Sequence, residues 1–335
     1  MTDIARIREF PLSSDRRRFA LAIGLGLIAM AAGIAGASAV SSAAMVSLMT
    51  HSAIFAFLGL GVGFLLRQGG VVSFGHATWF GLSAYIVVIG TKLTSLPIEL
   101  VMIGAVIGVT AFAFLVALVI ARIHGLAFSM LTLAIGQAFF QWANKARGVT
   151  GGADGVALRY RGTIFGLDMN VFHNPFTMFV VCWVLLIVLL LVLWVISRSR
   201  FGLLSLAIRE NEERALYIGY QTRMPRVIVF TLSAAVTSIG GILFVLYNSF
   251  VSPELLHWSI SGTGIIIALV GGTEILWGPI VGSFFYYFLR EFIGGLTEYW
   301  LAVLGIILIT VTLVWPSGIS GGFDRLRRAI SGGSR

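Results

Sequence analysis

Residues 19–66 read FALAIGLGLIAMAAGIAGASAVSSAAMVSLMTHSAIFAFLGLGVGFLL, without one Asp, Glu, Lys or Arg. A bilayer core about 30 Å thick needs roughly 20 mostly apolar residues per crossing helix, so this stretch holds two. A charged side chain at the centre of such a helix costs on the order of 3 kcal/mol to insert. Long charge-free stretches are therefore what lipid demands. Further uncharged runs cover Gln68–Thr91, Leu100–Ala121, Ile123–Asn144, Met169–Ser197, Val227–Pro253, Leu255–Thr273 and Tyr299–Phe323. The chain is expected to be an all-α polytopic membrane protein.

Working outward, ten spans are expected near 19–39, 44–66, 71–90, 97–120, 125–143, 174–196, 227–249, 258–271, 276–291 and 297–315. Charged residues are 11% and apolar ones 58% of the chain, against about 25% and 45–50% in soluble domains. Pro97, Pro175 and Pro225 stand near first helical turns, where a missing N–H costs little, and Pro316 stands where the last span stops. The net charge of +9 does not indicate nucleic acid, because the basic residues sit at the ends of apolar runs. With the N-terminus inside, one face collects 17 Lys and Arg and the other 6, which predicts both termini cytoplasmic. The expected organisation is a cytoplasmic arm over 1–18, a transmembrane domain over 19–316 and a cytoplasmic tail over 317–335. Within the domain, 145–173 is an external loop and 197–226 a cytoplasmic one. Arg16–Arg18 before an apolar run, with small residues at Ala37–Ala39, has traits of a signal peptide. Its apolar part of about twenty residues exceeds the usual ~7–15, so an uncleaved first span is expected. Cys182 is the only cysteine and forms no intrachain disulfide.

Two stretches break the pattern. QGGVVSFGHATWFG (68–81) puts glycines, Ser73 and His76 where the third span should begin, and 258–282 carries Gly262, Gly264, Gly271, Gly272, Glu274, Gly278 and Pro279. Short, glycine-interrupted hydrophobic segments in both halves of a chain point to a transport site, so unwound or re-entrant backbone is expected at both. Ser73, Gly75, His76, Gly271 and Gly272 are pathway candidates. His76 either lines the pathway or satisfies backbone groups freed by Gly69, Gly70 and Gly75. Gln137, Gln141 and Asn144 share one helix side at i, i+4, i+7 and either line an aqueous path or bridge helices. Glu274 is expected in a cytoplasmic turn, His51 in bundle packing, and Arg290 and Glu291, near the outer face, in neutralising each other or neighbours rather than in binding substrate. Outside, Thr150, Gly151, Gly152 and Asp154 lie in a glycine-rich segment whose N–H groups could cradle an anion. Calcium is poorly served by one Asp among glycines.

The cytoplasmic loop predicts a helix with Leu204, Ala207, Ile208, Ala215 and Ile218 on one side, ended by Gly219. Arg209 with Glu213, and Glu210 with Arg214, are spaced as i,i+4 pairs. Three glutamates within four positions suit a protein partner better than an anionic leaflet.

RSRFGLLSLAIRENEERALYIGYQTRMPRVIVFTLSA (198–234) resembles the cytoplasmic loop and following span of permeases in ABC importers for branched-chain amino acids. QGGVVSFGHATWFGLSAY (68–85), RIHGLAFSMLTLAIGQ (122–137), RGVTGGADGV (147–156) and VSPELLHWSISGTGIIIALVGGTEILWGPIVGS (251–283) are similar to further family segments, in family order. The match lies nearest the M-type of the two paired permeases. The resemblance implies an ABC importer permease fold in a bacterial inner membrane. The implied partners are a second related permease, two ATPase subunits holding ATP and Mg, and a soluble receptor. It makes Ala207–Gly219 the coupling helix, with Arg209, Glu210, Glu213 and Arg214 at the rim of an ATPase groove that Ile208 enters. It makes 147–156 a receptor-docking segment or outer gate.

The chain has no G-x-x-x-x-G-K-[ST] phosphate loop, so it is not expected to be an enzyme or to hold a cofactor. H-E-x-x-H and G-x-S-x-G are absent too, and no metal site is expected. A stand-alone secondary transporter or channel is the rival, though such carriers usually need ionisable groups within the membrane. The substrate stays open between branched-chain or other small amino acids, urea, amides and other small solutes.

Overall fold

The computed structural model describes residues 12–123, 125–160, 162–314 and 318–321. Its helices are α1 (Leu12–Ala39), α2 (Ala43–Gly69), α3 (His76–Leu93), α4 (Ile98–Ile120), α5 (Gly125–Lys145), the single turn α6 (Arg147–Thr150) and α7 (Met169–Phe172). There follow α8 (Pro175–Arg198), α9 (Arg200–Glu210), α10 (Glu212–Tyr217), α11 (Arg223–Asn248), α12 (Trp258–Gly271), α13 (Gly278–Gly294) and α14 (Trp300–Val314). Four two-residue strands add little: β1 (Val156–Ala157) pairs with β4 (Phe250–Val251), and β2 (Thr163–Ile164) with β3 (Leu167–Asp168). The arm before residue 12, Pro316 and the tail after 321 lie outside the described residues.

Every expected span coincides with a helix, yet the count of about ten is not reached. Among the described residues six helices are long and apolar enough to cross a membrane: α1, α2, α4, α5, α8 and α11. α12 has 14 residues and rises about 21 Å at 1.5 Å per residue, short of a full crossing. α13 and α14, with 17 and 15 residues, are short as well. α3 has 18 residues but opens on polar ones, because the chain leading to it is not helical.

α2 is the axis. It is buried along most of its length and packs against α8, α11, α12 and α13. Its glycines explain the close approach: a Cβ on Gly61 would collide with Thr237 and the Ser233 carbonyl of α11. On the opposite side, one on Gly59 or Gly63 would strike Ile267 of α12 or Pro279 of α13. Without a hydrophobic force between helices in lipid, small residues of this kind set where backbones can meet. α1 stays peripheral, its Gly33 against Trp183 of α8, whose Nε1 donates to the Ala29 carbonyl at 3.1 Å. α8 starts on Asn174, whose side chain accepts from the N–H groups of Phe176 and Thr177, with Pro175 in the first turn. Since α8 runs straight from residue 175 to 198, the 145–173 and 199–222 loops lie at opposite ends of the bundle.

Candidate functional site

Between α2 and α3 the chain leaves the helix for residues 70–75. Gly70, at φ 65°, ends α2 in the left-handed conformation that glycine adopts without penalty. Polar groups of this non-helical segment cannot be left bare inside an apolar bundle, and α5 takes up two of them. Ser129 Oγ donates to the Val72 carbonyl at 2.7 Å, and Thr132 Oγ1 accepts from the Phe74 N–H at 3.2 Å. The buried Ser73 Oγ accepts from the Gly75 N–H at 3.3 Å. Backbone satisfaction thus comes from α5 hydroxyls and Ser73, not from His76.

His76 opens α3 and is wholly buried. Its Nε2 lies 2.5 Å from Ser233 Oγ, and that hydroxyl donates to the Gly61 carbonyl at 2.8 Å. The one serine proton is therefore committed to Gly61. Nε2 must carry the imidazole proton, and Nδ1 is left as an acceptor without a partner among the described residues. Ser233 lies ten residues into α11, about 15 Å from its start. α3 hence begins deep inside the bundle. There the start of α12 meets it: Ser261 Oγ accepts from the Ala77 N–H at 2.8 Å, and Leu256 packs against Gly81. α12 is reached through residues 252–257, a second break in the α-helical path whose Pro253–Leu256 form a 3-10 turn, entered from the end bearing the 145–173 loop. Two helices thus start face to face within the bundle.

The other predicted break lies elsewhere. Residues 272–277 are out of helix and join α12 to α13 as a hairpin, with Glu274 exposed in the turn. Gly271 and Gly272 are buried beneath residues 318–321, and Ser320 Oγ donates to the Gly271 carbonyl at 2.5 Å. α2 packs between this hairpin turn and the His76–Ser233 contact, with Gly61 against Ser233 and Gly63 against Pro279. Gln137 and Gln141 lie on another face of α5 from Thr132 and Gly136, half-buried and exposed respectively. Asn144 Nδ2 donates to its own helix at Phe140.

The loop helix differs from expectation. Instead of one helix over 207–219 there are two, α9 and α10, broken at Asn211, which is extended and accepts from the Arg214 N–H through its side chain. The break separates the expected i,i+4 pairs. Arg209 Nη1 instead donates to the Arg67 carbonyl at 2.8 Å and lies along Gly70. Ser205 Oγ donates to Gln68 Oε1 at 2.7 Å. Ile208 and Ala215 are buried within this chain, so Ile208 is not presented to a partner, while Ala207 and the rim residues Glu210, Glu213 and Arg214 are exposed. Exposed apolar surface is found instead at Leu216, Tyr217 (89%) and Ile218 (68%), before Gly219 turns the chain at φ 89°. Arg226 at the start of α11 pairs with Glu212 at 2.5 Å.

At the opposite end, Thr150 is buried, its Oγ1 donating to the Ala143 carbonyl at 2.6 Å. Gly151, Gly152 and Gly155 all have positive φ, and Asp154 is exposed. The segment fixes β1 against β4, and so holds the strand that leads into residues 252–257. No group of three or more His, Cys, Asp or Glu poised for a metal occurs among the described residues.

Sequence reasoning missed Gly61, Ser129, Thr132, Ser233 and Ser261. Ser129, Thr132 and Gly136 repeat small residues at i, i+3, i+7, a signal for the α5 face that the breaks require.

Broken helices inside a polytopic bundle, with loops reaching from both ends to the break, define a membrane transport protein rather than a scaffold. The family of branched-chain amino acid transport system permease components matches residues 44–312. The chain is 24% identical over 294 residues to the high-affinity branched-chain amino acid transport system permease protein LivM of Escherichia coli, covering 82% of this chain and 69% of that one. It is 24% identical over 306 residues to the probable branched-chain amino acid transport permease protein LivH of Methanocaldococcus jannaschii, covering 84% and 93%. A shorter similarity, 27% over 114 residues and 31% of each chain, links it to the autoinducer 2 import system permease protein LsrC of Salmonella typhi. No solved structure matches significantly. The chain belongs to the branched-chain amino acid transport system permease family.

Proposed function

We propose that this chain forms one half of the translocation pathway of an ATP-driven importer for branched-chain or similar small amino acids. The second half comes from a related permease. A soluble receptor delivers substrate at the end bearing Lys145–His173, and two ATPase subunits hold ATP and Mg at the other. The setting is a bacterial inner membrane, with that second end and both termini cytoplasmic. The single observation that carries this reading is the unbroken line of contacts from the loop to the break. Arg209 and Ser205 of α9 grip Arg67, Gln68 and Gly70, which lead through the non-helical segment to Ser73, Gly75 and His76. Movement of α9 changes the backbone that positions His76 without crossing a flexible linker.

Docking of the ATPase falls on the exposed side of α10, where Leu216, Tyr217 and Ile218 supply apolar anchors and Glu210, Glu213 and Arg214 a charged rim. Aromatic anchors carry most interface energy and exposed charge pairs little. Tyr217→Ala together with Ile218→Ala should reduce co-purification of the ATPase and uptake about tenfold or more, while single neutralisation of Glu213 changes either little. Unaltered ATPase capture by the double variant would reject this docking face. Gly151, Gly152 and Asp154 are placed at the receptor-facing end, where the β1–β4 contact connects receptor docking to residues 252–257.

A further inference from the structure

A cavity of about 420 Å³ opens at the end of the bundle that carries the 145–173 loop, between the last turns of α3 and residues 151–159. The volume falls within the roughly 300–1,000 Å³ of small-molecule sites. Its charged lining is of one sign: Lys92 from the last turn of α3 and Arg159 from the loop, with no carboxylate in the wall. Among the described residues neither side chain has an ion-pair partner. The glycine segment adds shape rather than donors. The N–H of Gly151 is bound to the Arg147 carbonyl at 3.2 Å, that of Gly152 to Thr150 Oγ1 at 3.3 Å, and that of Gly155 to the Gly152 carbonyl at 3.2 Å. The Thr91 hydroxyl is likewise spent within α3, on the Val87 and Val88 carbonyls. Charged donors for a ligand therefore come from Lys92 Nζ and the Arg159 guanidinium.

The cavity lies where the chain enters lipid. Lys92 stands just before α4, a helix long and apolar enough to cross a membrane. Exposed apolar side chains flank it: Leu93 and Leu96 between α3 and α4, and Phe165, whose N–H donates to Glu99 Oε1 of α4 at 2.8 Å. The outer face of α4 continues apolar and exposed through Leu100, Ile103 and Ile107. Basic side chains at helix ends reach the headgroup level of a bilayer, and both guanidinium and ammonium groups take phosphate. We propose that this cavity holds the headgroup of an anionic phospholipid, with its phosphate between Lys92 and Arg159 and its acyl chains along the apolar face of α4. A zwitterionic headgroup brings an ammonium of its own, which the two cations repel. A carboxylate from a docking protein would meet the same cations but fill little of the volume and leave the apolar flank unused. The lipid is a tie rather than a cargo. Val156 and Ala157 line the cavity and pair with β4, which leads into residues 252–257 and α12. A bound headgroup therefore joins the end of α3 to the segment that delivers Ser261 to the start of α3.

The exposed Ala157 lines the cavity and serves as the probe position, and the exposed Ala153, which does not line it, serves as the control. In a Cys182→Ser background, Ala157→Cys and Ala153→Cys in the assembled transporter are labelled with an uncharged maleimide, in phosphatidylcholine nanodiscs with and without phosphatidylglycerol. Phosphatidylglycerol should slow labelling at residue 157 about tenfold and leave residue 153 unchanged. Lys92→Gln with Arg159→Gln should abolish that protection, since each lost charge-assisted hydrogen bond lowers affinity about 10- to 100-fold. Lys92→Arg with Arg159→Lys should keep it, which separates loss of charge from damage to the loop. Glycerophosphoglycerol and inorganic phosphate, added to phosphatidylcholine nanodiscs, should not protect. Equal protection by either would make this a site for a free anion and overturn the lipid assignment. Equal labelling at residue 157 with and without phosphatidylglycerol overturns the site. Protection by the soluble receptor and not by phosphatidylglycerol, lost in the double Gln variant, would give the two cations to a protein carboxylate and likewise overturn it.

Discussion

The hydroxyl of Ser233 joins three helices through one atom: it donates to Gly61 on α2 and accepts from His76 at the start of α3, while belonging to α11. Buried polar groups cost about 1–3 kcal/mol when left without a partner. Ser233→Ala removes both bonds at once. It should lower the unfolding free energy of the purified permease by about that amount, and Ser233→Thr should lose less, as measured by thermal unfolding in a fixed detergent. Equal stability of Ser233→Ala and the parent would mean the triad holds nothing. At this scale the sequence made His76 legible, since an imidazole beside glycines in an apolar run has few explanations. Its partner was not. Serines and threonines in membrane helices commonly bond their own preceding turn, as Thr237 does with Ser233, and the sequence cannot separate those from a hydroxyl that bridges helices.

At the scale of elements, the apolar stripe read over Leu204, Ala207, Ile208, Ala215 and Ile218 holds only in part: Ile208 and Ala215 are buried, Ala207 and Ile218 are exposed, and a stripe does not say what buries it. Ile208 is 3% exposed and faces its own bundle, while Tyr217 on the next helix faces outward. The two therefore separate by experiment. Ile208→Asp places a carboxylate in an apolar contact and should destabilise the isolated permease by several kcal/mol, lowering its yield and melting temperature before any ATPase is added. Unchanged melting of Ile208→Asp would return Ile208 to the partner's side. Asn211 was visible as an interruption of the stripe, and its preference for the N-cap position explains why the helix stops and restarts there. The break before α3 was legible only as its glycines, and the entry to α12 through residues 252–257, which holds no glycine, was not read at all. Hydropathy averaged over 71–90 does not register that residues 70–75 are out of helix, since an apolar residue scores alike in either conformation. Which broken segments face each other depends on α2 passing between them. That is a matter of packing that neither stretch encodes alone.

For the molecule as a whole, the charge-free runs made the membrane class legible, because lipid imposes one rule on every span. They did not disclose the substrate. Large exposed apolar residues such as Leu115, Leu126 and Leu313 outnumber the few that line a cavity, and composition averages the two together. Arg290 and Glu291 read in the sequence as neutralising each other or neighbours, and only the fold brings Glu254 and His51 beside them, around one cavity of about 720 Å³. The central claim is that this chain passes solute only when ATP is hydrolysed on separate subunits docked at α9 and α10. The most direct measurement is leucine uptake into proteoliposomes holding this permease and its permease partner, with the receptor on the receptor-facing side, with and without the ATPase subunits and ATP. The account predicts accumulation only when ATPase and hydrolysable ATP are both present. Uptake by this chain alone, driven by a proton or sodium gradient and indifferent to ATP, would contradict it.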